Sequence, residues 1–186
     1  MQPVLRSERL VLRPFSLDDA GVVQRLAGDR DIADTTLTIP HPYEDGVAER
    51  WIASHGRAFE NGTSVTYAVT LRQTGELVGA IGLAIVREFD QAEMGYWIGK
   101  PYWGLGYCTE AARTLMGYAF GELRLNRVHA CHFTRNPASG RVMQKAGLRY
   151  EGCQRQHVKR WGAYEDLARY GILRAEYEAA AGRPAV

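Results

Sequence analysis

The chain has 186 residues, 46% hydrophobic and 24% charged, which is enough apolar material for one sizeable core and near the usual upper size of a single compact domain. Its 23 basic and 21 acidic side chains are spread along the sequence and leave a formal charge of +2, so neither a nucleic-acid groove nor a membrane patch is indicated. Three cysteines (Cys108, Cys131, Cys153) without metal-ligand spacing argue against a disulfide framework and against a bound metal. No apolar run approaches membrane-spanning length, and Met1 to Leu12 lacks the apolar centre of a signal peptide, so a cytoplasmic protein is expected. One domain over residues 1–186 is expected, with 178–186 a dispensable tail.

In chain order, Leu10 and Leu12 alternate with Val11 and Arg13, predicting a first strand within Arg9 to Phe15. Ser16 then caps a helix opened by Asp18 and Asp19 and running towards Leu26. Threonines with Pro40 and Pro42 make Asp31 to Tyr43 a loop with at most a short helical turn, placed to border a substrate cleft. Val47, Trp51, Ile52, Ala58 and Phe59 predict a second helix from Tyr43 to Asn61, ended by Asn61 and Gly62. Ser64 to Leu71 and Glu76 to Arg87 read as two strands of a hairpin turning at Gln73, Thr74 and Gly75. A second turn at Asp90 and Gln91 leads into a short aromatic strand, Glu93 to Ile98, bounded by Gly99 and Pro101. From Tyr107, residues such as Cys108, Ala111, Leu115, Ala119 and Phe120 recur three and four apart and predict a helix with one apolar face. Arg127 to Phe133 is another strand, and Asn136 with Pro137 opens a helix through Ala146 that Gly147 ends. Leu148 to His157 and Leu167 to Leu173 close the sheet. Hairpins flanking one strand–helix–strand crossover predict an α/β (mixed α+β) fold: a mixed sheet with helices on its faces.

Gly104 and Gly106 lie between the aromatic strand and the helix from Tyr107. Glycines there let the backbone approach a ligand, and the first amides of the helix point outward without partners at its positive end, which makes a phosphate cradle. Two rival motifs fail. Gly106 is followed by Tyr107 and not by Lys and Ser/Thr, so there is no P-loop, and the third glycine of a dinucleotide fingerprint would fall at Thr109.

Four stretches, in order and over nearly the whole chain, resemble the GNAT superfamily of acyl-CoA-dependent N-acyltransferases and in particular its RimJ/RimL-type branch: RLVLRPF from Arg9, EMGYWIGKPYWGLGYCTEA from Glu93, NPASGRVMQKAGLRYEG from Asn136 and YEDLARYGIL from Tyr164. The resemblance implies a mostly antiparallel sheet of about seven strands, splayed at the acyl-CoA site and flanked by about four helices. It implies acetyl-CoA as acyl donor, lying in a gap between the aromatic strand and Arg127 to Phe133. The two amides of a pantetheine arm can pair with backbone groups of Tyr96, Trp97 and Ile98 as an added strand would. The amide near Ile98 then faces the thioester carbonyl, and the pyrophosphate falls on Trp103, Gly104, Leu105, Gly106, Tyr107, Cys108 and Thr109. Pro101 stands where the superfamily often has Gln or Arg, so the cradle relies on backbone amides.

Acyl transfer to an amine needs a base for the amine proton and a donor for the departing thiolate. Glu93 shares a face with Gly95 and Trp97 and is the first choice of base, its pKa raised by an apolar cleft or its action relayed by water; the alternative is a solvated strand-end acid. Asn136 caps a helix, and the resemblance adds a pantetheine contact. The resemblance also implies that Ser139 reaches the sulfur; many superfamily members place a tyrosine four residues later, where this chain has Met143, so Ser139 is the candidate donor, against an inert first-turn serine. Arg141 is set against a CoA phosphate or in solvent, and Cys108 is either an activated thiol or packed. None of the five histidines shows metal spacing or a nucleophile context. The resulting expectation is an N-acetyltransferase working by direct attack of a primary amine in a ternary complex. Its acceptor is a protein N-terminal α-amine by resemblance to the branch, or a small amine such as a polyamine, amino acid or antibiotic; a non-catalytic acyl-CoA sensor is the rival from another class. A homodimer stays open.

Overall fold

The structure, a computed structural model, describes residues 1–182. Eight strands form one sheet: β1 (Leu5–Arg6), β2 (Leu10–Arg13), β3 (Ser64–Leu71), β4 (Leu77–Val86), β5 (Gln91–Ile98), β6 (Arg127–Phe133), β7 (Arg149–Arg160) and β8 (Ala163–Leu173). Their order is β1-β2-β3-β4-β5-β6-β8-β7. Helices are α1 (Ala20–Ala27), α2 (Arg30–Asp34), α3 (Val47–Glu60), α4 (Tyr107–Gly121), α5 (Pro137–Lys145) and α6 (Arg174–Ala181). Among the described residues no helix is long and apolar enough to cross a membrane.

Every neighbouring pair is antiparallel except β5 and β6, which run parallel because α4 carries the chain across between them. That pairing lasts for three residue pairs, Gln91 with Arg127, Ala92 with Val128 and Glu93 with His129, and then stops. From Met94 and Ala130 onward the two strands separate, and the sheet is splayed as expected.

The sheet is filled on both faces. Alternation sends Met94 and Ile98 of β5, with Ile81 and Leu83 of β4, into a core closed by Ala112, Leu115 and Met116 of α4. Ala80 of β4 and Trp97 of β5 go to the opposite core, against Val23 and Leu26 of α1 and Ile52 of α3. Leu115 is fully buried, and truncating such a side chain to alanine costs about 2–5 kcal/mol.

Several elements depart from the sequence reading, among them the second helix, which starts at Val47 and not at Tyr43. An eighth strand arises because Leu5 and Arg6 pair with Leu12 and Val11, a contact too short to show periodicity. The segment from Ser16 begins as a 3-10 turn, Leu17–Asp19, whose Asp19 carboxylate accepts from the Ser16 N–H at 2.9 Å and pairs with Arg13 at 2.7 Å, so the helix proper starts at Ala20. The last two strands run longer than predicted, to a two-residue turn in which both Trp161 (φ 46°) and Gly162 (φ 87°) are left-handed. Two positive φ values match the right-handed twist of a hairpin, but tryptophan is not a residue that announces one. The helices number six because α2 fills the expected helical turn after Asp29 and α6 follows β8. The expected dispensable tail overlaps the end of α6, and its residues 183–186 lie outside the described residues.

Candidate active site

A cleft of about 660 Å³ opens where β5 and β6 part, running from the loop after α2 to the first turn of α5. Glu93, Tyr96 and Trp97 line it from β5, Cys131, His132 and Phe133 from β6, and Ser139 and Met143 from α5.

Register decides which backbone groups face the splay. Gly99 N–H donates to Val78 O at 2.8 Å, so Ile98 and Gly79 form a pair that exchanges no hydrogen bonds, and Ile98 turns its N–H and C=O away from β4. Tyr96 does the same two residues back. Trp97 exchanges its bonds with Ala80 of β4, so its backbone is engaged within the sheet, while the residue is buried in the second core and lines the cleft. The Ile98 carbonyl is taken by the Trp103 indole, whose Nε1–H donates to it at 2.6 Å. The Ile98 N–H remains for a ligand.

After Ile98 a 3-10 turn, Lys100–Tyr102, leads into Gly104 (φ 77°) and Gly106 (φ 81°), both left-handed, and Gly106 caps α4. Side chains rarely adopt these angles, and the resulting loop leaves the amides of Tyr107, Cys108 and Thr109 without helical partners. Gly104, Leu105 and Gly106 are exposed and Trp103 is about half exposed, while burial pushes the Cys108 thiol up to about 12. Cys108 therefore packs, and only its backbone faces the loop.

Sequence reasoning missed the brace beneath this loop. Arg9 donates from Nη1 to Leu105 O at 3.0 Å and from Nε to Glu110 at 2.7 Å, and its guanidinium lies 4.9 Å from the Tyr107 ring centre. Glu110 also accepts from Ser7 Oγ at 2.7 Å and from the Arg9 N–H at 2.8 Å. Burial pushes the Glu110 carboxyl up, but these bonds and the Arg9 charge outweigh it and hold it below the usual range. Nothing local marks Arg9 as a partner of residues about a hundred positions away.

Glu93 sits at the last paired residue of β5, exposed at the cleft, and its Oε1 accepts from Cys131 Sγ at 3.3 Å. Burial and the Glu93 charge push the Cys131 thiol up to about 11, so it stays protonated. Across the splay, Ser139 is in the first turn of α5 and its Oγ lies 2.9 Å from Tyr96 Oη, which also donates to Ser139 O at 3.1 Å. Burial raises the Tyr96 phenol far above its ordinary range. Thus a phenol does reach Ser139, from the strand and not from α5, where Met143 is buried. Asn136 Oδ1 accepts from Ser139 N–H at 3.4 Å and caps α5, whereas Arg141 is exposed on the helix surface. Of the histidines, His132 reaches the cleft wall, and burial against Trp51 and Phe15 pushes His55 down to about 4. Among the described residues no group of three His, Cys, Asp or Glu is placed to hold a metal.

The wall opposite α5 is the loop after α2, residues 35–39, and it is gripped from the β7–β8 turn. Arg160 donates from Nη1 to Leu37 O at 3.0 Å and from Nη2 to Ala33 O at 2.7 Å and Ile39 O at 2.6 Å, with its guanidinium stacked 4.5 Å from the Trp161 ring centre.

Residues 9–149 match the family model described as an acetyltransferase (GNAT) domain. An uncharacterized N-acetyltransferase of Bacillus licheniformis, p20, is 29% identical over 175 residues, 93% of this chain and 97% of its own. A Bacillus subtilis protein named "Putative ribosomal N-acetyltransferase YdaF" is 40% identical over 105 residues, 56% of this chain and 57% of its own, consistent with the RimJ/RimL-like branch. The crystal structure of a GNAT-family acetyltransferase from Bacillus anthracis superposes with a TM-score of 0.83 at 26% identity, covering 93% of this chain and 99% of that one. The splayed sheet, the glycine loop at the head of α4 and these likenesses agree: the chain belongs to the GNAT acetyltransferase family and is an N-acetyltransferase with acetyl-CoA as its acyl donor.

Proposed function

We propose that acetyl transfer proceeds by direct attack of a primary amine on acetyl-CoA bound in the splay, with Glu93 accepting the amine proton and Ser139 donating to the departing thiolate. The observation that carries this reading is that the two side chains line one cleft from opposite sides of the point where β5 and β6 part. A pantetheine amide finds unpaired backbone at Tyr96, and the pyrophosphate finds the amides from Gly104 to Thr109. The Ile98 N–H polarises the thioester carbonyl and then holds the oxyanion. Asn136, its Oδ1 engaged as a cap, keeps its side-chain NH2 to donate to the arm. Ser139 Oγ lies 2.9 Å from Tyr96 Oη, and in this reading its hydroxyl turns from that oxygen to sulfur. Arg141, exposed on α5, is free to meet a CoA phosphate in this reading.

The acceptor in this reading is a protein N-terminal α-amine. The similarity to YdaF supports it. The test is thiol release from acetyl-CoA over a panel of peptide N-termini, amino acids, polyamines and aminoglycosides, with the product mapped by mass spectrometry. Transfer to peptide α-amines is expected. Transfer only to small amines overturns the acceptor, and acetyl-CoA binding without transfer to any amine makes the protein a sensor.

A further inference from the structure

The acceptor half of the cleft has an unusual charge inventory. Its walls are Leu37 and Ile39 of the loop, Trp51 of α3, Trp97 of β5, Phe133 of β6 and Leu167 of β8. Among the described residues that line it, Glu93 is the sole carboxylate and there is no lysine or arginine. Two of the four threonines in its lining, Thr35 and Thr36, add little polarity. Thr35 Oγ1 donates back to Asp31 O at 2.9 Å and Thr36 Oγ1 to Ile32 O at 3.0 Å, so both hydroxyls are satisfied within α2.

The charged groups behind the mouth are committed elsewhere. Arg160 gives both terminal nitrogens to carbonyls of α2 and of the loop after it. Arg135 donates to Asp34 Oδ2 and to Asp34 O, each at 2.7 Å, and to Glu165 Oε1 at 2.9 Å, which occupies its own charge and those of both acids. Asp31 pairs with Lys100.

We infer that the acceptor is a monocation, its only charge the reacting amine, carried on an apolar body. An acceptor with a carboxylate near its amine would enter a wall with no lysine or arginine in its lining, where Arg169, opposite Cys131 on β8, gives its Nε to Gln154, and one with a second ammonium would find no second acid in the lining. An unpaired charge withdrawn from water is far more unfavourable than the apolar contacts around it are favourable. The apolar wall instead rewards an aliphatic or aromatic group, and the neutral peptide bond after an N-terminal residue meets no penalty of this kind. This narrows the proposed acceptor and rests on that proposal: among chain ends it selects an apolar first residue, and among small amines it excludes free amino acids and polyamines.

The experiment uses the intact protein, acetyl-CoA and matched acceptors that differ in one charge: leucinamide against leucine, pentylamine against 1,5-diaminopentane, and a peptide beginning with leucine against the same peptide beginning with aspartate or lysine. In each set the first member is expected to have kcat/KM higher by about tenfold or more, as for sites that reject a mismatched polar group. Leu37 is 45% exposed and tolerates change, so Leu37→Asp should raise the use of 1,5-diaminopentane and Leu37→Arg that of leucine, each by roughly tenfold. Equal or better use of the doubly charged or carboxylate member in the sets that react overturns the inference and leaves the acetyl-transfer reading standing. Failure of every acceptor while acetyl-CoA binds overturns both.

Discussion

The two ends of the cleft are built by different means. The proposed donor end is mostly a continuous stretch, Glu93 to Thr109, in which a strand with unpaired backbone runs into a glycine loop and a helix N-terminus, joined by Asn136 and Ser139 of α5, and most of what it offers is peptide groups. The acceptor end is assembled from α1, the loop after α2, α3, β6 and β8, and its shape depends on Arg160 reaching carbonyls 121–127 positions away in the chain. A site made of backbone tolerates varied side chains so long as the glycines remain. A wall made of side chains held by distant contacts is free to change its acceptor without disturbing the donor.

If this division is real, lesions at the two ends should separate donor binding from acceptor use. The largest effect is expected at Gly106→Asp, which forces a side chain into φ 81° and sets a carboxylate against the pyrophosphate. The rise in melting temperature that acetyl-CoA gives the parent protein should vanish. Persistence of that rise would show that phosphate binds elsewhere. Next is Glu93→Gln, which keeps the shape and removes the base; turnover should fall roughly a hundredfold or more with acetyl-CoA affinity unchanged. An unaltered kcat would pass the role to water.

Ser139→Ala is expected to lower kcat about tenfold and leave donor affinity alone, with Tyr96→Phe giving a smaller fall because it removes the hydroxyl partner and not the donor itself. Full activity in Ser139→Ala under conditions where chemistry limits the rate would reduce Ser139 to a helix-start residue. Arg160→Met tests the other end. Freeing three carbonyls should lower stability by about 1–3 kcal/mol and raise the acceptor KM, while calorimetry shows acetyl-CoA binding as before. Loss of donor binding in this variant would join the two ends that the structure separates.

The smallest effect concerns pH at the donor end. Glu110 is held below its ordinary 4.5, so its contribution is present above that value and is lost as pH falls through the lower folded one. Acid titration followed by melting temperature should show this loss in the parent protein and not in Glu110→Gln. Identical acid profiles would mean that the Arg9 brace carries little stability.

The division also explains what could be read before the fold was known. The strand at Ser64–Leu71, the strand at Arg127–Phe133, the helix from Tyr107 and the cap at Asn136 follow from residues within a few positions of one another, because alternation, helical spacing and capping are local. The glycine loop was legible for the same reason. The Trp161–Gly162 turn was not, since a tryptophan at positive φ contradicts its own preference and is held there by the long β7–β8 pairing and the Arg160 stack.

By itself, the sequence determined the order of elements, the backbone cradle and Glu93 as a candidate, all of which depend on neighbours along the chain, and its resemblance to the family supplied Ser139. Only the tertiary structure decided that Ile98 and not Trp97 turns its amide into the splay, that the phenol near Ser139 comes from Tyr96, and that Arg9 and Arg160 brace the two ends of the cleft. Each of these depends on register or on contacts between distant segments. A one-residue slip of β5 against β4 would exchange every inward and outward amide without altering a letter of the sequence.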